Sequence, residues 1–378
     1  MKFSSEVVHF SSKTSKNVRS KVTPIYQTSA FTFSNLQQLE DFYNGSNDYL
    51  YSRVSNPNTD ELGKAVAILE GAEDGVATSS GMSAILAAIL SVVSHGDHII
   101  AADDVYGGTY HLLAHELAQM GIEATFVSFK HTANIVAAIK QNTKLIYTES
   151  ISNPLLRVED LYEIVAVAKE HELVTIIDNT FATPYLLNPI KSGFDLVVHS
   201  ATKYLGGHSD ITAGVVVGPK LLIEKAKSKV VNLGANLSPF EAWLTSRGIK
   251  TLAVRMERQV ENAARLAEAL QTQSDIKHVY YPKQASSKGN GAIVTIELNE
   301  TICVDTFFIN LNWVKIVPTL AGVETTVSYP IATSHRALPE EAAAELGITK
   351  GVVRISVGIE DAEDIIAVFK NAIMTAKM

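Results

Sequence analysis

Two side chains that follow predicted strands could do chemistry together. Residues 196–198 are apolar and predict a buried strand, and Lys203 comes shortly after it. Residues 173–177 predict a second buried strand that ends in Asp178. Ligands of open α/β sheets bind beyond the carboxyl ends of the strands, where a lysine can form a Schiff base and an aspartate can keep a pyridinium nitrogen protonated. The pair therefore predicts a site for pyridoxal 5'-phosphate (PLP).

A turn of small residues could supply the phosphate site that such a cofactor needs. It contains Ser80, Gly81 and Met82, and it lies between a predicted strand that begins at Gly75 and a predicted helix over Ala84–Val93. Backbone N–H groups at a helix N-terminus favour an anion. The turn matches neither a Walker loop nor Gly-x-Gly-x-x-Gly, and alone it would more often be a simple helix cap. Followed by Asp178 and Lys203, it predicts a phosphate cradle.

The motif Ser200-Ala-Thr202-Lys203-Tyr-Leu-Gly-Gly-His208, together with Asp178-Asn-Thr180, resembles the trans-sulfuration (Cys/Met metabolism) family of PLP enzymes. That family includes cystathionine γ-synthases and γ-lyases, methionine γ-lyases and O-acylhomoserine sulfhydrylases. The resemblance runs from about Thr23 to the last helix. It implies a fold-type-I, aspartate-aminotransferase-like architecture in which Ser200, Thr202, Asp178 and Lys203 bind the cofactor. It also implies that Lys203 is the catalytic lysine.

The resemblance implies roles for four residues outside these motifs. Tyr106, after the predicted strand over His98–Ala102, would stack on the pyridine ring and assist proton transfer. Asn153 would contact the substrate carboxylate and the phenolic oxygen of the cofactor. Arg354 would grip the substrate α-carboxylate, and Thr319 would also contact the substrate. Without the resemblance, each would more often be an ordinary loop or ion-pair residue.

Tyr51 and Arg53 match a family motif that reaches into the neighbouring subunit and binds the cofactor phosphate there. They precede Asn56-Pro57, and alone they would be read as surface residues. The match implies a homo-oligomer, as a dimer of dimers, in which a partner chain completes each active site.

The alternation of predicted helices and buried strands indicates an α/β fold with a mostly parallel sheet. We expect an N-terminal arm over residues 1–48, a large PLP-binding domain over 49–235 and a smaller α+β domain over 236–378. The arm shows one periodic segment, a helix over Leu36–Tyr43. In the last domain we expect one long, kinked helix over residues 241–270, followed by strands. Those strands are predicted over residues 291–298, 315–319 and 352–357.

Composition argues against nucleic acid and membranes as partners and is consistent with the small-molecule substrate and the further copies of this chain that the resemblance implies. A net charge of −8 argues against nucleic acid and anionic membranes. The single cysteine, Cys303, excludes an intrachain disulfide and favours a reducing compartment. The N-terminus lacks the apolar core of a signal peptide, so we expect a cytoplasmic protein. His111 and His115 have the spacing of a metal pair but no accompanying ligand motif, so no metal site is predicted.

Three departures from the family pattern bear on the reaction. The segment after Pro282 is shorter than in most relatives, and Pro318 stands where many cystathionine-handling members have a glutamate. Gly108 stands where dedicated methionine γ-lyases commonly have a cysteine. We expect γ-elimination, as in cystathionine or methionine γ-lyases. γ-Replacement on an O-acylhomoserine, cystathionine β-elimination and a non-catalytic PLP-binding relative remain open alternatives.

Overall fold

Two β-sheets covered by helices make up the part of the chain that the computed structural model describes, residues 1–10, 20–45, 49–333, 336 and 347–378. Residues 46–48, the end of the predicted arm, lie outside it. The helices are α1 (Phe3–His9), α2 (Leu36–Tyr43), α3 (Pro57–Glu70), α4 (Gly81–Leu90), α5 (Gly107–His111), α6 (Leu117–Gln119), α7 (Thr132–Ala137), α8 (Leu161–Glu170), α9 (Thr183–Leu186), α10 (Pro189–Ser192), α11 (Lys220–Leu233), α12 (Pro239–Ile249), α13 (Leu252–Gln271), α14 (Val304–Ile309) and α15 (Ala362–Thr375). A π-helical turn, Leu112–Glu116, joins α5 to α6.

The larger sheet is mostly parallel, as the sequence predicted. Its strands are β1 (Asp74–Thr78), β2 (His98–Ala102), β3 (Glu123–Val127), β4 (Thr143–Glu149), β5 (Val174–Asp178), β6 (Leu196–His199) and β7 (Gly214–Gly218). They lie in the order β1-β7-β6-β5-β4-β2-β3, and β7 runs antiparallel to both of its neighbours. The central strands are buried and apolar, as parallel strands covered by helices on both faces require.

The carboxyl ends of neighbouring strands bring polar residues to one edge of this sheet. Glu149 at the end of β4 pairs in register with Asp178 at the end of β5. The segment that carries Lys203 follows β6, the next strand of the sheet. This edge is where open α/β sheets bind ligands.

Helix α4 begins three residues earlier than the sequence predicted. Its first residue is Gly81, and the predicted start was Ala84. The Ser80 hydroxyl oxygen accepts a hydrogen bond from the Ser83 backbone N–H at 3.1 Å, which caps the helix and fixes its start. As a result the small-residue turn itself forms the helix N-terminus.

The smaller sheet contains the predicted arginine strand. Its strands are β8 (Ile276–Tyr280), β9 (Ile293–Leu298), β10 (Lys315–Ile316), β11 (Thr326–Ser328) and β12 (Val352–Ser356), in the order β10-β11-β12-β9-β8. The strand predicted over residues 315–319 ends at Ile316, since Pro318 has no N–H to donate to a ladder. Strands β8 and β11 were not predicted.

The helix predicted over residues 241–270 is in fact two helices, α12 and α13. At the end of α12 the Arg255 guanidinium donates to the Gly248 carbonyl oxygen at 2.9 Å and to the Thr251 hydroxyl at 3.0 Å. The Gly248 carbonyl oxygen also accepts from the Thr251 backbone N–H at 3.1 Å, so a turn and a side-chain cap satisfy a carbonyl that a continuous helix would have used internally. Periodicity does not reveal either contact.

The apolar core has two clusters that meet within α13. Its first half, from Leu252 to Val260, packs in the cluster of the larger sheet, and Ala263 onward packs in the cluster of the smaller sheet. We propose that the two domains divide there, so that α12 belongs with the large domain. The arm also contains an unpredicted helix, α1, whose Val7 is buried in the larger cluster.

Candidate active site

A cavity of about 550 Å³ lies at the carboxyl edge of the larger sheet, against the smaller sheet. Its size is typical of small-molecule sites, which occupy roughly 300–1,000 Å³. All the predicted site residues except Tyr51 and Arg53 line it: Ser80, Gly81, Met82, Tyr106, Asn153, Asp178, Ser200, Thr202, Lys203, Thr319 and Arg354.

Lys203 extends its amine across this cavity toward the loop after β10. Nζ donates a hydrogen bond to the Thr319 hydroxyl oxygen at 2.8 Å. Burial, and to a lesser extent the Arg354 guanidinium, lower the pKa of Lys203 to about 8. A substantial fraction of this amine is therefore neutral near pH 8, as a nucleophile or base must be.

Arg354 is a buried cation held by neutral acceptors. Nη1 donates to the Asn153 side-chain oxygen at 2.8 Å, and Nη2 donates to the Thr319 carbonyl oxygen at 3.3 Å. Nε has no hydrogen-bond partner among the described residues, and no carboxylate there lies within ion-pair distance of the guanidinium. Burial lowers the pKa of Arg354 to about 10. A buried guanidinium without a protein counter-ion is suited to the carboxylate of a ligand.

Hydrogen bonds to β12 and from α13 fix the loop that carries Thr319. The Ala321 backbone N–H donates to the Ser356 hydroxyl oxygen at 2.7 Å. The Gln259 amide on α13 donates to the Gly322 carbonyl oxygen at 2.9 Å. Thr319 is thereby held where it meets Lys203.

Asp178 faces the cavity without a cationic partner in hydrogen-bond contact among the described residues. One of its oxygens accepts from the Thr180 backbone N–H at 2.8 Å. The Thr180 hydroxyl oxygen in turn accepts from the Ser200 backbone N–H at 2.8 Å, which joins the ends of β5 and β6. Burial raises the pKa of Asp178. A buried carboxylate of this kind favours a cationic N–H group of a ligand beside it.

The N-terminus of α4 supplies donors on another side of the cavity. Gly81 and Met82 begin the helix, so their backbone N–H groups have no intrahelical acceptor. A Cβ on Gly81 would lie 2.6 Å from the Ser200 Cβ, so glycine permits this close approach. Thr202 is fixed beside them, because its hydroxyl oxygen accepts from the Ala213 N–H at 3.0 Å. Free N–H groups and hydroxyls here form a site for an anion such as a phosphate.

The groups that line the cavity therefore fit PLP: they provide an anion site at a helix N-terminus, a carboxylate, an aromatic ring at Tyr106 and an amine. Comparison with known families supports the same cofactor. The model of the family described as Cys/Met metabolism PLP-dependent enzyme matches residues 4–374. The chain belongs to this family.

Members of the Cys/Met metabolism family resemble the chain along nearly its whole length. Cystathionine beta-lyase of Lactococcus lactis subsp. cremoris (strain MG1363) is 42% identical over 97% of this chain and 98% of its own. Cystathionine gamma-lyase of Bacillus subtilis (strain 168) is 41% identical over 91% of each chain. A Campylobacter jejuni structure assigned to an O-acetylhomoserine (thiol)-lyase has a TM-score of 0.94 and 32% identity, covers 99% of this chain and 100% of its own, and contains a pyridoxyl-lysine phosphate.

These matches confirm the family, the fold-type-I architecture and the PLP-dependent enzyme predicted from the sequence. The three relatives are named as a beta-lyase, a gamma-lyase and an O-acetylhomoserine (thiol)-lyase, so membership leaves the reaction to be distinguished. Within the described residues, no helix is both long and apolar enough to cross a bilayer.

Tyr51 and Arg53 lie away from the cavity of their own chain. An Arg53 nitrogen donates to the Val231 carbonyl oxygen on α11 at 3.4 Å, and its guanidinium lies 5.7 Å from the centre of the Tyr51 ring. Arg53 lines a different cavity, next to Lys227 of α11. Both residues are exposed.

Two residues at the site were missed by the sequence reasoning. Glu149 lines the cavity at the end of β4, and Thr180 joins Asp178 to Ser200 through the bonds given above. The strand-end position that drew attention to Asp178 could have identified Glu149, its partner in the sheet register. Thr180 stands in the Asp178-Asn-Thr180 motif, but the motif alone does not indicate its contact with Ser200.

Proposed function

We propose that this family member is a carbon–sulfur lyase that cleaves sulfur amino acids by γ-elimination. The observation that carries the proposal is the position of the Lys203 amine. It lies in one cavity with Arg354, whose guanidinium has no protein counter-ion among the described residues, and it donates to the Thr319 hydroxyl oxygen at 2.8 Å. A partly neutral amine can remove the proton from Cα of a bound amino acid and can then remove a proton from Cβ. γ-Elimination needs both of these transfers.

The other residues would bind and orient. Arg354 and Asn153 would hold the α-carboxylate of the substrate through a bidentate, charge-assisted contact. The N-terminus of α4 would hold the cofactor phosphate, and Asp178 would hold the proton of the ring nitrogen. PLP supplies the electron sink that makes the Cα proton acidic. Tyr106 would stack on its ring and assist proton transfer.

One apolar wall of the cavity favours a short, uncharged sulfur side chain. Pro318, Leu320 and Phe181 line it, and the charged side chains that line the described cavity are Glu149, Asp178, Lys203 and Arg354. The Pro318 position therefore offers no carboxylate to the distal ammonium of cystathionine. This wall supports methionine or homocysteine as substrates at least as well as cystathionine.

β-Elimination of cystathionine is the second candidate. A specific observation favours it, because the relative with 42% identity has the name cystathionine beta-lyase. The same lysine would remove the Cα proton, and the sulfur would leave from Cβ, so no Cβ proton transfer would be needed.

Product analysis of the holoenzyme separates the candidates. γ-Elimination of cystathionine with water gives cysteine, 2-oxobutanoate and ammonia, whereas β-elimination gives homocysteine, pyruvate and ammonia. Methionine gives methanethiol, 2-oxobutanoate and ammonia by γ-elimination. We expect 2-oxobutanoate from both substrates. Pyruvate with homocysteine from cystathionine would replace the proposal by the β-lyase, and cystathionine made from O-acetylhomoserine and cysteine, without 2-oxobutanoate, would replace it by a γ-synthase.

We also propose that the enzyme is a dimer of dimers whose subunits share active sites. Tyr51 and Arg53 are exposed and line no part of the Lys203 cavity in their own chain. Helix α2 of the preceding N-terminal arm has a clear apolar face, yet none of its residues is buried. A partner subunit would cover this face and receive Tyr51 and Arg53 at its own phosphate site.

A further inference from the structure

Glu149 is a buried carboxyl group of the cavity to which the proposed chemistry gives no role. It ends β4, it is 8% exposed, and it lines the cavity with Asp178 and Tyr106. Burial of a carboxyl group costs free energy of folding unless hydrogen bonds or a paired charge compensate for it.

Its clearest contact is with the backbone that carries Tyr106. The Glu149 Oε1 atom accepts a hydrogen bond from the Tyr106 N–H at 2.6 Å. Tyr106 immediately precedes α5, and its own side chain makes no capping bond, so the segment between β2 and α5 is attached to β4 through this contact. The ring lies close to Gly108, because a Cβ on Gly108 would lie 2.5 Å from the Tyr106 Cε1 atom.

The surroundings of Glu149 are acidic. Burial, and then the Asp178 carboxylate, raise the pKa of Glu149 well above its usual range, and Asp104 acts in the same direction. A protonated carboxyl group keeps a carbonyl oxygen that can accept from an N–H. The contact with Tyr106 therefore needs the reach and the acceptor oxygen of Glu149 and does not need its charge.

We propose that Glu149 is a positioning residue that holds the Tyr106 backbone and so places the Tyr106 ring in the cavity. The inference rests on the role proposed for Tyr106. It predicts that the length of the side chain decides its effect.

Three substitutions separate reach from charge. Glu149→Gln keeps the length and an acceptor oxygen, Glu149→Asp keeps the carboxylate but is one methylene shorter, and Glu149→Ala removes both. We expect Gln to stay within about twofold of the wild-type kcat/KM, and Asp and Ala to lose about tenfold to a hundredfold, as displaced active-site groups do. Glu163→Ala, on the exposed face of α8, is the matched control. If Ala does not fold, the comparison of Gln with Asp still decides.

Two readouts do not depend on turnover. Hydrogen–deuterium exchange of the peptide containing Tyr106, measured on the holoenzyme, should speed up in the Asp variant and stay at the wild-type rate in the Gln variant. The visible circular dichroism of the bound cofactor should likewise change in the Asp variant and stay as in the wild type in the Gln variant, since a stacked ring contributes to its asymmetric surroundings. An Asp variant whose kcat/KM equals or exceeds that of the Gln variant would overturn the inference.

A double-mutant cycle tests whether Glu149 acts through Tyr106. In a Tyr106→Ala background, Glu149→Asp should change kcat/KM and the circular dichroism by less than about twofold. A full loss in that background would show that Glu149 acts elsewhere and would overturn the inference alone. If Tyr106→Ala itself matches the wild type in both readouts, the proposed role of Tyr106 fails, and the inference fails with it.

Discussion

At the scale of single residues, the site holds buried charged groups that are unfavourable for the stability of the fold. Lys203 and Arg354 share one cavity, and each has a pKa below its ordinary value, mainly because of burial. Neither is neutralised by a carboxylate in the described part of the chain. Arrangements that cost stability and lower the pKa of an amine are typical of functional sites.

The pKa of Lys203 gives a prediction for the apoprotein. This pKa is about 8 in the folded chain and 10.5 for a lysine in the unfolded chain. The folded state therefore disfavours the protonated amine by an amount on the order of 3 kcal/mol. This penalty is present below pH 8 and is relieved as the pH rises from 8 to 10.5. Lys203→Met should therefore stabilise the apoprotein to denaturant near pH 7, and the gain should shrink toward pH 10.

The matched control is Lys225→Met, at an exposed position of α11. It should change the free energy of unfolding little at either pH. A gain from Lys203→Met that is the same at pH 7 and pH 10 would mean that methionine improves the packing and that the lysine pKa is not lowered.

We propose that one residue, Pro318, also influences substrate choice. It lines the cavity and has no charge, so cystathionine finds no partner there for its distal ammonium. Because a solvent-exposed ion pair is worth only about 0–1 kcal/mol and a partly buried one somewhat more, Pro318→Glu should raise kcat/KM for cystathionine over methionine severalfold. The ratio is measured within each variant, which cancels any general loss from removing the proline. A ratio that stays unchanged in an enzyme that already prefers cystathionine would show that another residue recognises the ammonium.

At the scale of elements, α12 supports the segment that carries Lys203. Gly248 of α12 packs against the Leu205–Gly206 backbone so closely that an added Cβ would strike the Gly206 carbonyl oxygen and lie 2.9 Å from that of Leu205. The helix and the loop therefore fix each other. This contact positions the lysine from outside the cavity.

Gly248→Ala should displace the loop and cost about 1–3 kcal/mol of unfolding free energy, the usual cost of an overpacked core. It should also weaken PLP retention during dialysis. Arg247→Ala, next to it but exposed, is the control and should do neither. Full stability and full PLP retention in the Gly248 variant would show that the two elements can separate without consequence for the site.

The sequence predicted the parts of the site that depend on strand ends and missed those that depend on tertiary contacts. Asp178 and Lys203 were found because buried apolar runs end just before them. The break between α12 and α13 was missed because it depends on the Arg255 side chain and on the close approach at Gly248, and neither has a periodic pattern. Glu149 ends a strand as Asp178 does and could have been found in the same way, but its contact with the Tyr106 backbone, which is distant in sequence, could not.

At the scale of the whole molecule, we expect the proposed enzyme to work only as an oligomer. If Arg53 of one subunit completes the site of another, Arg53→Ala and Lys203→Ala damage different halves of a shared site. Each variant alone should be inactive. Mixed under conditions of subunit exchange, they should recover part of the wild-type activity, since some mixed dimers contain one intact site.

Native mass spectrometry of differently tagged variants establishes that the subunits exchange. A mixture of two copies of the Lys203→Ala variant with different tags is the control and should stay inactive. Exchange without recovery of activity would place Arg53 in the site of its own chain or outside the site altogether.

The central claim is that PLP is held by Lys203 in the cavity between the two sheets. Borohydride reduction of the holoenzyme, followed by proteolysis and mass spectrometry, tests it most directly, because reduction fixes the cofactor to the lysine that holds it. We predict a phosphopyridoxyl group on the peptide containing Lys203, with the other lysines unmodified. A phosphopyridoxyl group on another lysine, with Lys203 free, would contradict the account.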